Sequence, residues 1–309
     1  MILAPVALFV YNRLEHTKKT IEALQKNELA INSDLVIFSD GFKNSPESKS
    51  SVLVVREYLK TISGFKSIKI IERLENLGLA NSIINGVTEI VNQSGKIIVL
   101  EDDLITSPYF LRYMNEALDL YENQEEVISI HGYIYPVKHQ LPETFFIKGA
   151  DCWGWATWKR GWDLFEADGQ KLLSELIAKK LTREFDLGGY PYTQMLRGQI
   201  KGFNNSWAVR WYASAFLKNK LTLYPGYSLV SNCGFDNSGT HTGRMTAFFT
   251  EIYNKPVIVA KISVIENSEV RLIVARFFKT LYLRLFIIFV RYKFYLKIFK
   301  RICLKALNR

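Results

Sequence analysis

The chain has 309 residues, of which 48% are hydrophobic and 14% aromatic. That excludes a disordered or low-complexity protein and leaves room for one large α/β domain, or two small ones, with a sizeable core. The formal charge is +10, but residues 270–309 hold 11 of the 40 Lys/Arg and no Asp or Glu, so the remainder has 29 basic residues against 30 acids. A near-neutral body with a basic appendage is not the pattern of a general nucleic-acid binder.

Three cysteines, Cys152, Cys233 and Cys303, are widely spaced and form no CxxC. Neither a disulfide framework nor a zinc site follows from them. The opening MILAPVALFV lacks a basic n-region and runs into a polar YNR. It reads as a first strand and not a signal peptide, so a reducing, cytosolic location is expected.

Residues 4–11 read as strand one and 14–30 as an amphipathic helix. Strand two is expected at 35–39, ending at Asp40-Gly41, followed by a loop over 42–50 and a helix over 51–62. A third strand at 67–71 leads to a helix from Asn76 to Val91 and then to KIIVL, strand four. This alternation predicts an α/β fold, a doubly wound and mostly parallel sheet with right-handed crossovers. The loops after the four strands carry Tyr11-Asn12-Arg13, Asp40-Gly41, Arg73 with Asn76, and Glu101-Asp102-Asp103. In a parallel sheet all four open at one edge, where base, ribose and phosphates of a ligand could converge.

The run KIIVLEDD joins a strand buried on both faces to three consecutive acids. Such acids repel one another and stay ionised together only if water, a cation or hydrogen-bond donors offset the repulsion. A divalent metal carried on one or two carboxylates and on substrate phosphates suits the pattern. A solvated acidic turn would also suit it.

Beyond the acids, Ser107-Pro108 opens a helix to about Asn123, and 127–131 reads as a strand. Residues 142–162 end in CWGWATWKRGW, where Trp153, Trp155, Trp158 and Trp162 could wall a sugar or base pocket or form a buried aromatic cluster. Helices are expected at 163–183 and 207–219, with a loop at 187–206 and a Gly/Asn/Ser/Thr-rich stretch around His241. Residues 270–309 project as a helix with Lys and Arg on one half and Phe277, Leu281, Leu285, Ile288, Tyr295 and Phe299 on the other. The uninterrupted LFIIFV is too short to span a bilayer. Interfacial binding to anionic lipid, or packing on the body, are the two readings of that helix.

The order strand-YNR-helix, IFSDG, ENLGLANSIINGV, IIVLEDDLITSPYFLRYMNEAL and WGWATWKRGW resembles nucleotide-sugar glycosyltransferases of the GT-A fold, especially bacterial family 2-type enzymes. VLEDDLITSPYFLRYM is also similar to the acidic motif of N-acetylglucosaminyltransferase I. The resemblance covers about residues 4–245 and implies a GT-A domain over 1–250; outside it, a linker is expected over 251–269 and, from the charge pattern, basic amphipathic membrane-associating helices over 270–309. It implies that Asp103 ligates Mn2+ or Mg2+, with His241 as a late ligand. Glu101 and Asp102 would contact the ribose or the metal's waters, and Asp40 the nucleobase. Tyr11, Asn12, Arg13, Arg73 and Asn76 would lie beside the nucleotide, with Trp153 and Trp155 by the sugar.

The implied activity is hexosyl or N-acetylhexosaminyl transfer, with a UDP-sugar as the expected donor and a saccharide or lipid-linked acceptor. The expected setting is the inner face of the plasma membrane, in surface polysaccharide or lipopolysaccharide synthesis, with anionic lipid and no nucleic acid as partners. A basic group such as Arg244 would help the leaving diphosphate. The family's base carboxylate has no counterpart in Asn204-Asn205-Ser206-Trp207-Ala208. Asp151 or Asp236 would take that role, Asp151 by preference. A catalytically impaired saccharide-binding protein and a nucleotidyltransferase are the alternatives. YNRLEH lacks the Gly-rich triphosphate loop that the second of these would want.

Overall fold

The structure, a computed structural model, describes residues 2–234 and 245–283. Among these, strands β1 (Val6–Val10), β2 (Asp34–Ser39), β3 (Ser67–Glu72) and β4 (Lys96–Glu101) alternate with helices α1 (Leu14–Gln25), α2 (Pro46–Leu59) and α3 (Gly78–Ser94). They form the parallel half of an eight-stranded sheet, in the Rossmann-like order β3-β2-β1-β4. Two short elements follow: β5 (Leu104–Thr106) and α4 (Phe110–Leu120).

The second half continues with β6 (Val127–His131), β7 (Thr144–Lys148), β8 (Trp155–Trp158) and β9 (Leu221–Pro225), in the order β8-β6-β9-β7 beyond β4. Here β8 is antiparallel to both β4 and β6, β9 is parallel to β6, and β7 closes the edge antiparallel to β9. The expected α/β, mostly parallel sheet is the one found, with the antiparallel pairs confined to this half. Helices α5 (Lys159–Trp162), α6 (Gly169–Ala178), α7 (Thr182–Phe185), α8 (Tyr192–Ile200) and α9 (Trp207–Leu217) lie between β8 and β9. A separate pair joins β5 to β10 (Val230–Asn232).

Side chains alternate across the sheet as strand geometry demands. Leu8, Leu35, Ile37, Ile98 and Leu100 pack with α1, α2 and α4 on one face. Ala7, Phe9, Val36, Phe38, Ile97 and Val99 meet α3 and α9 on the other. Strands β1, β2 and β4 are therefore buried on both sides, which explains their unbroken apolar runs.

Several boundaries differ from the sequence expectation. Helix α2 starts at Pro46, within the stretch read as a loop, because Ser45 accepts from the Ser48 N–H and Pro46 is suited to the first turn. The helix expected over 163–183 is broken: Asp168 caps the start of α6 and Lys180 at φ +58° ends it. Residues 187–206 contain α8. WATW is a strand, with Trp155 facing one side of the sheet and Ala156 and Trp158 the other.

Of the stretch 251–269, read as a linker, residues 251–267 lie on the body. Val257 is buried, and Val259, Ile262 and Val264 pack on the core. Tyr121 Oη donates to Ala260 O at 3.2 Å and accepts from Ile262 N at 3.1 Å, and Asn267 N donates to Phe146 O at 2.8 Å. The chain is then helical over 268–283. Val270, Ile273, Val274 and Phe278 are buried there among Leu141, Phe145, Leu187 and Tyr224. Phe277 and Leu281, which the sequence places on a lipid-facing half, pack against this same cluster. Leu285, Ile288, Tyr295 and Phe299 lie outside the described residues.

Candidate active site

The strand registers set the carboxyl ends of β1, β2, β3 and β4 side by side, since Val10 pairs with Ser39, Ser39 with Glu72, and Phe9 with Glu101. The four loops that follow therefore share one edge. Asp40 N donates to Val10 O at 3.1 Å, Arg73 N to Ser39 O at 2.9 Å, and Gly41 N to Glu75 O at 3.2 Å.

At the centre lies Arg13, the residue before the first turn of α1. Its Nη2 bonds Asp102 Oδ1 and also reaches Asp103 Oδ2 at 2.9 Å. Its Nε donates to Asp102 Oδ2 at 3.4 Å. Asp102 is buried, whereas the Asp103 side chain keeps 15% of its surface open. Thr20 Oγ1 fixes the backbone here by donating to Asp102 O at 2.9 Å. Of the three ways the sequence left open to offset the repulsion among the acids (water, a cation or hydrogen-bond donors), the chain itself supplies the last, a guanidinium.

The electrostatics follow from that arrangement. Burial, then the charges of Asp103 and Asp102, push the Glu101 carboxyl up to about 8, with Arg13 opposing. Burial also raises Asp102, against the downward pull of Arg13. Burial pulls Arg13 down, but its two acid partners outweigh it and the guanidinium stays charged.

Asp103 opens the β5 segment, and β5 pairs with β10. Cys233 N donates to Asp103 O at 2.8 Å, and a Cβ on Gly234 would meet Asp103 Oδ2 at 2.4 Å. The acid therefore lies against the residue from which the chain enters 235–244. Burial, then the charge of Asp103, pushes the Cys233 thiol up to about 11. His241, Asp236 and Arg244 lie outside the described residues.

Among the described residues, no group of three or more His, Cys, Asp and Glu is placed to hold a metal. The residues fit a divalent cation of another kind: one that rests on one or two carboxylates and takes its remaining ligands from water and substrate phosphates. Asp103, with its partly open carboxylate and Asp102 beside it, supplies that donor set.

Asp40 has a different task from the one expected. Its Oδ1 accepts from Gly41 N at 3.0 Å and Leu77 N at 2.9 Å, and its Oδ2 from Asn76 Nδ2 at 3.1 Å and Gly78 N at 2.9 Å. Four donors fill the carboxylate. It caps α3 from the neighbouring loop, and the Asn76 amide is spent on Asp40 and on Gly41 O at 2.7 Å. The sequence expectation placed Asp40 at a nucleobase; here its carboxylate is taken up by the chain's own donors.

Tyr11 Oη bonds Ser48 Oγ at 2.6 Å, while Asn12 is half-buried at the same rim. The Arg73 guanidinium lies over the Phe38 ring at 5.5 Å, and its Nε and Nη2 are buried without a hydrogen-bond partner. Arg56, which the sequence reading did not single out, ties this rim together. It donates to Ser39 Oγ at 3.1 Å, Asp40 O at 3.3 Å and Arg73 O at 2.7 Å, and pairs with Glu72 at 3.4 Å. Its place on the apolar face of α2, beside Val55 and Leu59, is the signal that marks it.

The tryptophans separate. Trp155 is fully buried, with ring centroids 5.5–5.8 Å from those of Trp207, Trp162 and Trp211. It is a core residue, so the stacking role expected of it is corrected: no ring face is left for a sugar. Trp153 is half-buried, packs edge-on to Tyr133 at 4.7 Å, and donates its backbone N–H to His131 Nε2 at 3.1 Å.

Asp151 precedes this segment. Its Oδ2 accepts from Tyr135 Oη at 2.5 Å and its Oδ1 from Cys152 N at 2.9 Å. The carboxylate borders a cavity of about 10 Å³, room for roughly one water, together with Tyr192, Tyr212 and Tyr224. The half-buried Cys152 thiol is raised well above its ordinary range by desolvation, then by Asp151, Glu101 and Asp103. Cys152 is therefore within electrostatic reach of both Asp151 and the acid cluster.

No family model matches the chain, and no curated protein matches its sequence. Three solved structures share parts of its backbone course. A mannosyltransferase from Pyrobaculum calidifontis, in complex with GDP-Man and Mn2+, is 12% identical over 43% of this chain and 36% of that one, with a TM-score of 0.32. TarS of S. aureus is 12% identical over 47% of this chain and 24% of its own, with a TM-score of 0.30. A UDP-glucose pyrophosphorylase complexed with UDP-glucose is 13% identical over 75% of this chain and 94% of that one, with a TM-score of 0.40. The chain thus spans about a third and a quarter of the first two. At this distance the likenesses assign no role to any residue, and the functional reading rests on the chain's own groups.

Proposed function

We propose that the chain is a metal-dependent glycosyltransferase of GT-A type, which moves a sugar from a nucleotide-diphosphate donor to a saccharide or lipid-linked acceptor. The expected pathway is surface polysaccharide or lipopolysaccharide synthesis. One observation carries the reading: Asp102 and Asp103 at the carboxyl end of β4 converge with Arg13 from the β1 loop, at the edge shared by four parallel strands. That is the crevice where open α/β sheets bind ligands.

Asp103, with Asp102 beside it, would hold Mn2+ or Mg2+. When bound, the ion supplies Lewis-acid stabilisation of the departing diphosphate. Arg13 keeps the two acids aligned and adds positive charge where phosphate charge develops. Glu101 lies behind them, its carboxyl raised by burial and by the charges of Asp103 and Asp102. Asp151 is the proposed base. Held by Tyr135 and Cys152 N, its carboxylate would accept the proton of the acceptor hydroxyl.

A thermal-shift screen of nucleotide sugars with Mn2+ tests the donor, since a ligand raises apparent stability by mass action. Asp103→Ala should abolish turnover while leaving the fold intact, and EDTA should do the same until Mn2+ is restored. Retained activity in either case would remove the metal assignment. Asp151→Asn should lower kcat at least about a hundredfold with the donor KM unchanged.

A second reading, a saccharide or nucleotide binder without turnover, is favoured by the Arg13 ion pairs, which neutralise the acids without any metal. Donor hydrolysis in the presence of Mn2+ separates the two.

A further inference from the structure

The helix over 268–283 has two unlike faces. Val270, Ile273, Val274 and Phe278 are buried in the body. Gly188 seats the helix closely: a Cβ there would lie 2.1 Å from Ala275 O. Arg271 is held on the body by Glu266 at 3.0 Å and by Glu184 O at 3.1 Å. The helix is thereby fixed in rotation. Leu272, Arg276, Lys279 and Leu283 are exposed, and their spacing puts them on one outward stripe. Glu269 stands at its beginning, in the first turn. Among the described residues, neither Arg276 nor Lys279 pairs with an acid.

The sequence carries this stripe's composition onward. Residues 284–309 contain eight Lys/Arg, no acid, no proline and no glycine. Nothing on the near-neutral body matches so much positive charge. The occupant that fits cations flanked by leucines is the headgroup region of a bilayer, which receives Leu below the phosphates and Lys or Arg among them.

We propose that Leu272, Arg276, Lys279 and Leu283 form a docking surface for an anionic lipid bilayer. The consequence for the site is geometric. The same helix packs its Phe277 and Phe278 against Tyr135, at ring distances of 6.0 and 4.8 Å, and Tyr135 holds Asp151. The helix that carries the membrane face therefore packs, by its inner side, on the tyrosine that holds the proposed base. On the glycosyltransferase reading, which this last step rests on, the acceptor is a lipid-linked saccharide and not a free one.

The test is co-sedimentation of the full chain with vesicles of phosphatidylcholine containing about one-third phosphatidylglycerol, with pure phosphatidylcholine as control. The wild type should pellet with the anionic vesicles, not the neutral ones, and should be released by high salt. R276E/K279E should lower partitioning about thirtyfold with an unchanged melting temperature. L272N/L283N should also weaken pelleting with anionic vesicles at low salt, and it decides the matter if the charge reversal does not fold. Wild-type partitioning by both variants would overturn the surface, as would equal binding to neutral vesicles or capture by an RNA oligonucleotide in place of vesicles. Sedimentation uses no nucleotide sugar. An absence of donor hydrolysis with vesicle binding intact would sink only the enzyme reading and the choice of acceptor.

Discussion

The two halves of the sheet solve different problems. In β3-β2-β1-β4 each strand ends in polar groups at one edge, and those groups are wired to one another: Arg13 to Asp102 and Asp103, Asp40 to Asn76 and α3, Arg56 to the ends of β2 and β3 and the loops that follow them. In β8-β6-β9-β7 the chain instead buries aromatics, with Trp155, Trp162, Trp207 and Trp211 on one side and Tyr135, Tyr190 and Phe278 beyond β7. One half places charge; the other is a wall that holds it in position. A residue type therefore means different things in each half. An exposed-looking Asp becomes a saturated cap, and a sugar-stacking Trp becomes core.

The sharpest way to break this contrast is at Trp155. Trp155→Ala should cost about 4 kcal/mol in urea denaturation, because the cavity it leaves is walled by three other indoles. Its nucleotide affinity should stay that of the wild type. The opposite result, stability kept and affinity lost, would return Trp155 to the ligand. Next is Arg13→Gln, which leaves two acids without their counter-charge and should destabilise by about 3 kcal/mol at neutral pH. Added Mn2+ should restore part of that loss in a melting experiment, and no restoration would argue against a cation at Asp103.

Asp40→Ala should cost about 2 kcal/mol by uncapping α3 and freeing four donors. A normal melting temperature with weakened nucleotide binding would instead make Asp40 a ligand group. The smallest effect concerns His131 in the aromatic half. Burial lowers its pKa, with Asp151 opposing. The unfolded chain, with an ordinary His near 6.5, takes up the proton first as pH falls. Stability is thus fully present above about pH 6.5 and declines below it. His131→Asn should flatten that part of the stability profile.

The parallel half was legible because its strands and helices are local in sequence and the apolar runs of β1, β2 and β4 announce burial on both faces. Its common edge followed directly. Arg13 as counter-ion was not legible, since nothing in YNR says that the guanidinium crosses to β4, 89 residues away. Asp40 as cap was hidden for the same reason: the helix it caps begins 38 residues later. In the other half, β8 lies between β4 and β6, and an insertion of that kind is set by long-range packing. The alternation in WATW was present, but four indoles in a short span drew the reading toward a binding wall.

The segment 251–267 has an effect on the sheet's border. Strand β7 is the last in the sheet, and a bare last strand is a template onto which a second chain can add. Glu266 bridges to Phe146 and Asn267 bonds its carbonyl, so part of that border is occupied by the protein itself. A protease cut within 251–267 would uncover backbone donors and acceptors beside Phe145 and Phe146, and the clipped protein should self-associate into aggregates that the intact chain resists.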